Sequence, residues 1–234
     1  MWQAVFEDHK DDDFMVIAVA QESRGLETAQ EFIDEAGPTY VVLIDQEHVV
    51  SDLYNLTNVP QAVWIDENGK IVRPPETAGS HDGWRAMNRE DMSMPDESAA
   101  IISKAQETYM NALRDWAKNG ADSRFAFDEA AARAHLRKPA DNTALAFANF
   151  HLGQYLYRNG KQDEGDKFLK TAINLKPESW TMYRQAMNLR DVGAMGFAAD
   201  ETYFARVDAL GANRYYEPPD LEDFPTELGF EPPA

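Results

Sequence analysis

The chain has 234 residues, of which 22 are Lys or Arg and 41 are Asp or Glu, so its formal net charge is −19. This charge argues against binding to nucleic acids or to anionic membranes, because cationic surface drives both interactions. The sequence contains no cysteine, which excludes disulfides, zinc–thiolate sites, iron–sulfur clusters and a cysteine nucleophile.

The first third of the chain predicts an α/β layer. A short apolar run typical of a buried strand occurs at residues 15–20, and further strands are predicted at 40–44, 62–65 and 70–72. Apolar residues at helical spacing predict one helix over 26–36, and a short second helix is predicted over 49–53. The last two strands flank an Asp-Glu-Asn-Gly sequence at 66–69, which predicts a hairpin because Asn-Gly tolerates positive φ.

The second part of the chain predicts an all-helical domain over residues 97–211. Helices are predicted at 97–118, 127–136, 143–157, 163–175 and 179–189. The stretch 76–96 is rich in polar residues and turn formers, and it predicts a linker loop. Residues 212–234 predict a solvated, acidic, Pro-rich tail with local packing through Phe224, Leu228 and Phe230.

Three segments of the first part carry a family pattern: VIAVAQES at 16–23, YVVLIDQEHVVSDLYNLTNVP at 40–60 and QAVWIDENGKIVRP at 61–74. Through them, residues 1–75 resemble a thioredoxin-like domain of the redoxin family, as in TlpA/ResA-type and peroxiredoxin-type proteins. The Val59-Pro60 step, followed by a strand and an Asp-x-x-Gly hairpin, is the most specific part. The resemblance implies a cis peptide bond at Pro60, opposite the position of the redox motif.

The sequence departs from this family at the catalytic motif. Family members carry a Cys-x-x-Cys or one peroxidatic Cys at the start of the first main helix, after a central strand. This sequence begins where that helix ends, so we expect the strands at 15–20 and 62–65 to flank an absent strand. Direct pairing of these strands, a strand from another chain, or an N-terminal segment outside this reading frame would close the gap. A homodimer through the exposed strand edges is one expected result.

A second pattern lies in the helical domain. The residues Leu152-Gly153, Leu156, Gly165, Leu169, Ala172 and Pro177 fall at the spacing of a repeat of 34 positions. This stretch resembles one tetratricopeptide (TPR) repeat, although Asn149 replaces the usual large aromatic residue and Gly165 the usual alanine. The resemblance implies closely packed paired helices, whose inner face binds peptides in that family. One repeat cannot bury its own faces, so the flanking helices are expected to pack against it.

Both resemblances point to peptide-binding positions. Tyr54, Val59 and Pro60 would line the substrate groove of the redoxin family, where the backbone before the cis proline pairs with an extended chain. Tyr155 and Arg158 lie on the first helix of the TPR-like unit. An acidic protein with such faces would favour basic or neutral peptides.

The residues predict no catalytic group, cofactor or metal. Ser80-His81-Asp82 has the residue types of a serine triad, but contiguous residues rarely face one another as a triad requires, so a polar loop is expected. The acids at 11–13, with Glu7 and His9, are types that bind metals, but runs of acids are usually solvated. The lack of cysteine predicts no thiol–disulfide activity, and measurable insulin reduction by the pure chain would contradict this.

The sequence therefore predicts an incomplete thioredoxin-like α/β domain followed by an all-α TPR-like domain. The expected function is a non-catalytic protein-interaction or scaffold role with a protein or peptide partner. The alternative is a fragment of a redoxin-family thiol–disulfide oxidoreductase or antioxidant protein whose catalytic N-terminus lies outside this chain. With no signal peptide and no long apolar run, the chain as written would be soluble and cytoplasmic, or periplasmic if an export segment is missing.

Overall fold

A computed structural model describes residues 1–190 and 201–232 of the chain. The helices are α1 (Trp2–Asp8), α2 (Leu26–Ala36), α3 (Val49–Leu53), α4 (Asp96–Asn119), α5 (Glu129–His135), α6 (Thr143–Arg158), α7 (Gln162–Leu175), α8 (Trp180–Arg190) and α9 (Glu201–Asp208). The strands are β1 (Ile17–Ala20), β2 (Val41–Ile44), β3 (Gln61–Ile65) and β4 (Ile71–Thr77). Over the described residues, no helix combines the length and the apolarity that crossing a membrane requires.

The chain divides into two compact units, each built from segments that are distant in sequence. The parallel-strand unit consists of Met15–Val59 and Arg137–Ala198, and the hairpin unit consists of Met1–Phe14, Pro60–Leu136 and Ala199–Ala234. These units differ from the predicted consecutive domains at 1–75 and 97–211, since each unit combines parts of both. Strand and helix patterns report local structure, and they carry no information on which distant segments pack together.

In the parallel-strand unit, β1 and β2 form a two-stranded parallel sheet. Ile17 pairs with Val41 and Ala20 with Ile44, and α2 lies in the crossover connection that parallel strands require. At the end of α2, Gly37 has a φ of 53°, a left-handed conformation that glycine adopts without steric cost. The predicted strand–helix–strand order is confirmed.

The same unit contains α6, α7 and α8, which share an apolar core. Its members are Ala146, Phe147, Phe150, Leu169, Ala172, Met182, Ala186 and Leu189. The short loop at 159–161 joins α6 and α7 into a helical hairpin. The helices predicted over 143–157, 163–175 and 179–189 are confirmed, whereas the part of the predicted helical domain at 191–200 lies outside the described residues.

In the hairpin unit, β3 and β4 form the predicted antiparallel hairpin. The Asp66 carboxylate holds the turn, because its Oδ1 accepts the N–H groups of Asn68 at 3.0 Å and Lys70 at 2.8 Å. Gly69 has a φ of 75°, which explains why an Asn-Gly sequence predicts this turn.

The second strand of the hairpin is longer than predicted. It does not end at 72 but continues through two prolines to Thr77. Proline has no N–H for the ladder, and the register of the two strands shifts between Ala62 and Trp64. This irregular pairing therefore accommodates the two prolines, which are unfavourable in a regular strand.

The predicted linker at 76–96 packs into the hairpin unit. Asp82 is fully buried, and its carboxylate accepts the N–H groups of Tyr215 at 2.9 Å and Tyr216 at 2.7 Å. A buried carboxylate needs such partners, so this segment is anchored to the C-terminal part of the chain and does not form a free loop.

The C-terminal segment, which the structure describes as far as residue 232, is more closely packed than the solvated tail predicted at 212–234. Leu221 and Phe224 are buried in the main core of the hairpin unit, and the guanidinium of Arg85 lies 4.8 Å from the centre of the Phe230 ring. The tail is therefore part of the folded unit through its buried apolar residues, whereas its acids are exposed to solvent.

The core of the hairpin unit is built on α4. Its buried members are Val5, Trp64, Ala78, Ala105, Tyr109, Met110, Ala112, Leu113, Leu221 and Phe224. The indole Nε1 of Trp64 donates to the Tyr109 hydroxyl at 3.0 Å, and the Trp64 ring stacks on Trp116 with centroids 4.9 Å apart.

A charged residue, Arg73, is buried beside this core. Its guanidinium donates to both carboxylate oxygens of Glu76, at 2.6 and 2.9 Å, and to the carbonyls of Phe125 and Asp220, each at 2.8 Å. Burial raises the pKa of Glu76, and the hydrogen bond and charge of Arg73 oppose that shift. The pair satisfies charges that would otherwise be costly to bury.

The four strands form two separate two-stranded sheets. The sequence predicts that the strands at 15–20 and 62–65 flank an absent strand of one sheet. Over the described residues, β1 instead pairs with β2 and β3 pairs with β4. Each strand pairs with a strand that is its neighbour in chain order, as most strands do.

Candidate functional site

The structure divides the predicted redoxin-type groove between the two units. Tyr54 follows α3, and Val59 ends the first segment of the parallel-strand unit; both are half-buried. Pro60 is exposed and belongs to the hairpin unit, where its carbonyl accepts the N–H of Ala78 at 3.2 Å. A groove shared by these residues stays a prediction.

The other two predicted residues, Tyr155 and Arg158, lie about one turn apart on α6. Nη1 and Nη2 of Arg158 lie 2.6 and 2.7 Å from the two carboxylate oxygens of Glu47, which is a bidentate ion pair. Tyr155 exposes 58% of its surface. Of the two residues, Tyr155 is therefore the one that a partner reaches without breaking an ion pair.

Tyr155 is the last member of an exposed apolar stripe on α6, which also contains Leu145, Ala148 and Leu152. These residues follow one another at intervals of three, four and three positions, the spacing of the a and d positions of a coiled coil. Leu145, Leu152 and Tyr155 expose between 40% and 58% of their surfaces, and Ala148 is exposed as well. The helix contains no Asp, Glu or Lys, although the chain has a net charge of −19.

The opposite face of α6 packs closely against α7. A Cβ atom on Gly153 would lie 2.7 Å from the Leu169 side chain, and one on Gly165 would lie 2.6 Å from the Tyr157 ring. No side chain fits at either distance without displacing its neighbour. The close packing that small residues at 153 and 165 predict is confirmed, and α6 therefore carries one buried and one exposed apolar face.

A buried polar cluster joins α6 to the strand segment of its unit. The hydroxyl of Ser23 lies 2.9 Å from Nε2 of His48, and Nε2 of Gln154 donates to the same hydroxyl at 2.8 Å. The N–H of Ser23 donates to Oε1 of Gln185 on α8 at 2.8 Å. These contacts give the buried hydroxyl and N–H of Ser23 their hydrogen-bond partners, and they tie the loop after β1 to α6 and α8.

Burial sets the charge state of His48. It lowers the pKa of the imidazole to about 4, against the opposing effect of the Asp45 charge, so His48 is neutral near pH 7. The hydroxyl of Ser23 accepts from Gln154 and makes one further hydrogen bond with Nε2 of His48, since a hydroxyl oxygen has two lone pairs and one proton.

The Ser23–His48 contact has the distance of a nucleophile and its general base, but its surroundings differ from those of a catalytic pair. Both residues are 1% exposed. Within the part of the chain that the structure describes, Nδ1 of His48 has no hydrogen-bond partner. The carboxylate of Asp45, three residues before His48, accepts the N–H groups of Val49 at 2.9 Å and Val50 at 2.8 Å. The contact therefore has a structural role.

The triplet Ser80-His81-Asp82 forms no triad. The Asp82 carboxylate is directed to the backbone of the C-terminal segment, and Nδ1 of His81 accepts the N–H of Gly83 at 3.0 Å. His81 and Asp82 are buried, so the expected polar loop is a packed segment.

The acids near the N-terminus make local polar contacts. His9 Nδ1 lies 2.7 Å from Asp12, and Lys10 Nζ lies 3.0 Å from Glu7. Among the described residues, no group of three or more His, Asp or Glu side chains is placed to hold a metal ion.

Neither protein-family models, nor curated proteins, nor solved structures give a match to this chain. The thioredoxin-like and TPR-like interpretations therefore depend on the sequence pattern and on local geometry alone.

Sequence reasoning missed the buried cluster. Ser23, His48, Gln154 and Gln185 lie far apart in the chain, and no spacing or motif connects them. The exposed stripe, in contrast, can be recognised in the sequence, because its apolar residues follow the a and d spacing from Leu145 onwards.

Proposed function

We propose that this chain is a non-catalytic protein-interaction module and that the exposed stripe of α6 is its binding surface. One observation carries the proposal: Leu145, Ala148, Leu152 and Tyr155 present apolar side chains to solvent along one helix face. Apolar surface at helical spacing is typical of faces that receive a partner.

The stripe fits a short amphipathic segment as its partner. Such a segment would place apolar side chains at intervals of three and four residues between the leucines and Tyr155. Because α6 contributes no acid to this face, apolar contacts supply the affinity there. The net charge of −19 acts at longer range and favours a basic or neutral partner over an acidic one.

The buried cluster supports this surface from the inside. Gln154 lies on the buried side of the same helix and donates to Ser23 and, at 3.3 Å, to the carbonyl of Gln46. Arg158 adds the ion pair to Glu47. A helix held at several points presents its outer side chains in fixed positions, which lowers the entropic cost of binding.

We propose that α6 and α7 are a TPR-like repeat, which the close approach at Gly153 and Gly165 supports. We also propose that residues 1–75 descend from a thioredoxin-like domain, which the β1–α2–β2 crossover and the hairpin after Val59-Pro60 support.

Co-purification from the cells of origin tests the binding surface. Wild-type protein, Leu152→Asp and the control Leu136→Asp, which makes the same change at an exposed leucine after α5, are compared by quantitative mass spectrometry. We expect at least one protein to be retained by the wild type and the control and to be depleted at least roughly tenfold by Leu152→Asp, since a buried charge removes an anchor. Equal recovery of all proteins by both variants would contradict the proposal.

The alternative function is part of a redoxin-family oxidoreductase with its cysteine motif on another segment. The parallel order β1–α2–β2, followed by Val59-Pro60 and a hairpin, favours it. The intact mass of the native protein decides between the two. A mass several kilodaltons above 26.4 kDa, with cysteine-containing N-terminal peptides, would support thiol redox or peroxide chemistry; a mass of 26.4 kDa would count against it.

A further inference from the structure

His135, the last residue of α5, faces a hydrogen-bond acceptor at each of its two ring nitrogens. Nδ1 lies 2.8 Å from the carbonyl oxygen of Ala131, one turn earlier on the helix, and Nε2 lies 2.8 Å from Oδ2 of Asp220 in the C-terminal segment. A carbonyl and a carboxylate only accept hydrogen bonds. Both ring nitrogens must therefore donate, and only the protonated imidazolium carries a proton on each of them.

The charge on His135 also stabilises α5 itself. The helix has seven residues, of which only Ala132 is buried, and a helix this short is marginal without further contacts. A cation in the last turn interacts favourably with the helix dipole, and Nδ1–H supplies a donor for the Ala131 carbonyl of that turn. Neutral imidazole keeps one proton only, so one of the two acceptors then faces a lone pair on nitrogen.

The loop before α5, strand β4 and the C-terminal segment all pack against His135. The Phe127 ring stacks on the imidazole with centroids 4.3 Å apart, and the Arg73 guanidinium lies 4.3 Å from the centre of the same ring. The charge of Arg73 opposes a positive charge on His135, whereas the carboxylates of Glu76 and Asp220 favour it. Arg73 also donates to the backbone carbonyl of Asp220 at 2.8 Å, and this contact is independent of the charge on His135.

The direction of the pH dependence follows from these contacts. On α5 itself, Glu129 and Arg133 form an ion pair with each other. The hydrogen bond to the Ala131 carbonyl raises the pKa of His135 above its ordinary value of 6.5, and Asp220 adds to this effect, against burial and the charge of β4. The folded chain therefore binds the proton more tightly than the unfolded chain. The contact is complete below pH 6.5 and is lost as the pH rises through the pKa of the folded chain.

We propose that α5 and Asp220 form a pH-dependent clasp on the hairpin unit, which charged His135 closes and neutral His135 opens. Opening frays the last turn of α5, uncovers the Phe127 ring and releases the Asp220 side chain. Leu221 and Phe224 are buried in the core and hold the C-terminal segment in either state, so the unit stays folded. The clasp lies outside the α6 stripe and does not depend on the proposed function.

Nuclear magnetic resonance of the full chain from about pH 5.5 to about pH 8.5 tests the clasp. Nitrogen chemical shifts of the imidazole follow the charge on His135, and Cα chemical shifts of residues 129–135 follow the helix. Asp220→Asn keeps the shape of the partner and removes its charge, and His135→Gln removes the titrating group. Asp122→Asn, which removes one charge at another exposed position of the unit, is the matched control. Circular dichroism checks that each variant is folded.

In the wild type and in Asp122→Asn, we expect His135 to titrate above pH 6.5. The helical Cα shifts of α5 are expected to fall by at least about one third over the same pH range. We expect a lower midpoint and a smaller fall in Asp220→Asn, because an amide can donate to neutral imidazole, and no fall in His135→Gln.

Three results would each overturn the proposal. The first is a midpoint of His135 at or below 6.5, or one that Asp220→Asn leaves in place. The second is a set of α5 shifts that stays constant while His135 titrates. The third is a fall of these shifts that persists in His135→Gln, because another group would then control the helix.

Discussion

The hydroxyl of Ser23 and Nε2 of His48 lie 2.9 Å apart in the interior of the parallel-strand unit. Gln154, on the inner side of α6, donates to the same hydroxyl. One small side chain thus connects the strand segment to the helix that carries the exposed stripe.

Replacing Ser23 by alanine tests that connection. We expect Ser23→Ala to lower the free energy of unfolding by about 1–3 kcal/mol, because Gln154 and His48 lose a buried hydrogen-bond partner. Thr171→Ala removes an exposed hydroxyl on α7 and is expected to change it by less than about 0.5 kcal/mol. Urea unfolding measures both values. An unfolding curve of Ser23→Ala that overlays that of the wild type would contradict a stabilising role.

The pKa of His48 predicts a loss of stability in mild acid. The pKa is about 4 in the folded chain and 6.5 ordinarily, so between these values the unfolded chain binds a proton that the folded chain does not. The free energy of unfolding therefore falls as the pH decreases from 6.5 towards 4, by up to about 3 kcal/mol.

A variant isolates the contribution of this imidazole. His48 has a φ of 56°, a conformation that asparagine tolerates, so His48→Asn removes the titrating group with the least backbone strain. We expect the slope of stability against pH between 6.5 and 5 to be smaller in His48→Asn than in the wild type and than in the control His9→Asn. Identical slopes in all three proteins would show that His48 does not titrate in this way.

The contact between α6 and α7 predicts that alanine is harmful at Gly153. Its Cβ would lie 2.7 Å from the Leu169 side chain, so we expect Gly153→Ala to destabilise by about 1–3 kcal/mol despite the better helix propensity of alanine. Ala144→Gly, at an exposed position of the same helix, measures the difference in helix propensity alone and is expected to lower the free energy of unfolding by about 1 kcal/mol. A stabilised Gly153→Ala protein would mean that the helices are further apart.

Removing Arg73 is predicted to be among the most damaging single changes in the hairpin unit. Arg73→Met leaves the buried Glu76 carboxylate and the carbonyls of Phe125 and Asp220 without their donor. We expect a loss of about 3–5 kcal/mol. Adding Glu76→Gln removes the unpaired charge, and thermal unfolding of the double variant is expected to show partial recovery. A double variant less stable than Arg73→Met would contradict this account of the pair.

Local patterns predicted the elements but not their assembly. The Asn-Gly sequence at 68–69 predicts its hairpin, and the small residues Gly153 and Gly165 predict close helix packing, because the causes lie within a few residues or one repeat. The burial of Phe224 in the core of the hairpin unit has a distant cause. An acidic, Pro-rich composition predicts a solvated tail, and no local feature shows that a complementary surface exists elsewhere in the chain.

The candidate site shows the same limit. Tyr155 was predicted from its place on a helix with repeat spacing, and its exposure depends on that local pattern. The ion pair of Arg158 with Glu47 joins the two sequence segments of one unit. The cluster around Ser23 and His48 does the same through Gln154. Such contacts arise from tertiary packing and leave no period in the sequence.

Site-specific photo-crosslinking tests the binding role of α6 most directly. A photoreactive phenylalanine derivative replaces Tyr155 in the full chain, and Asn174, which is exposed on α7, receives it as the control. We expect irradiation of the cells of origin to yield an adduct with a protein other than this chain at position 155 and not at position 174. No adduct at 155, or the same adducts at both positions, would contradict the claim that this face binds a protein partner.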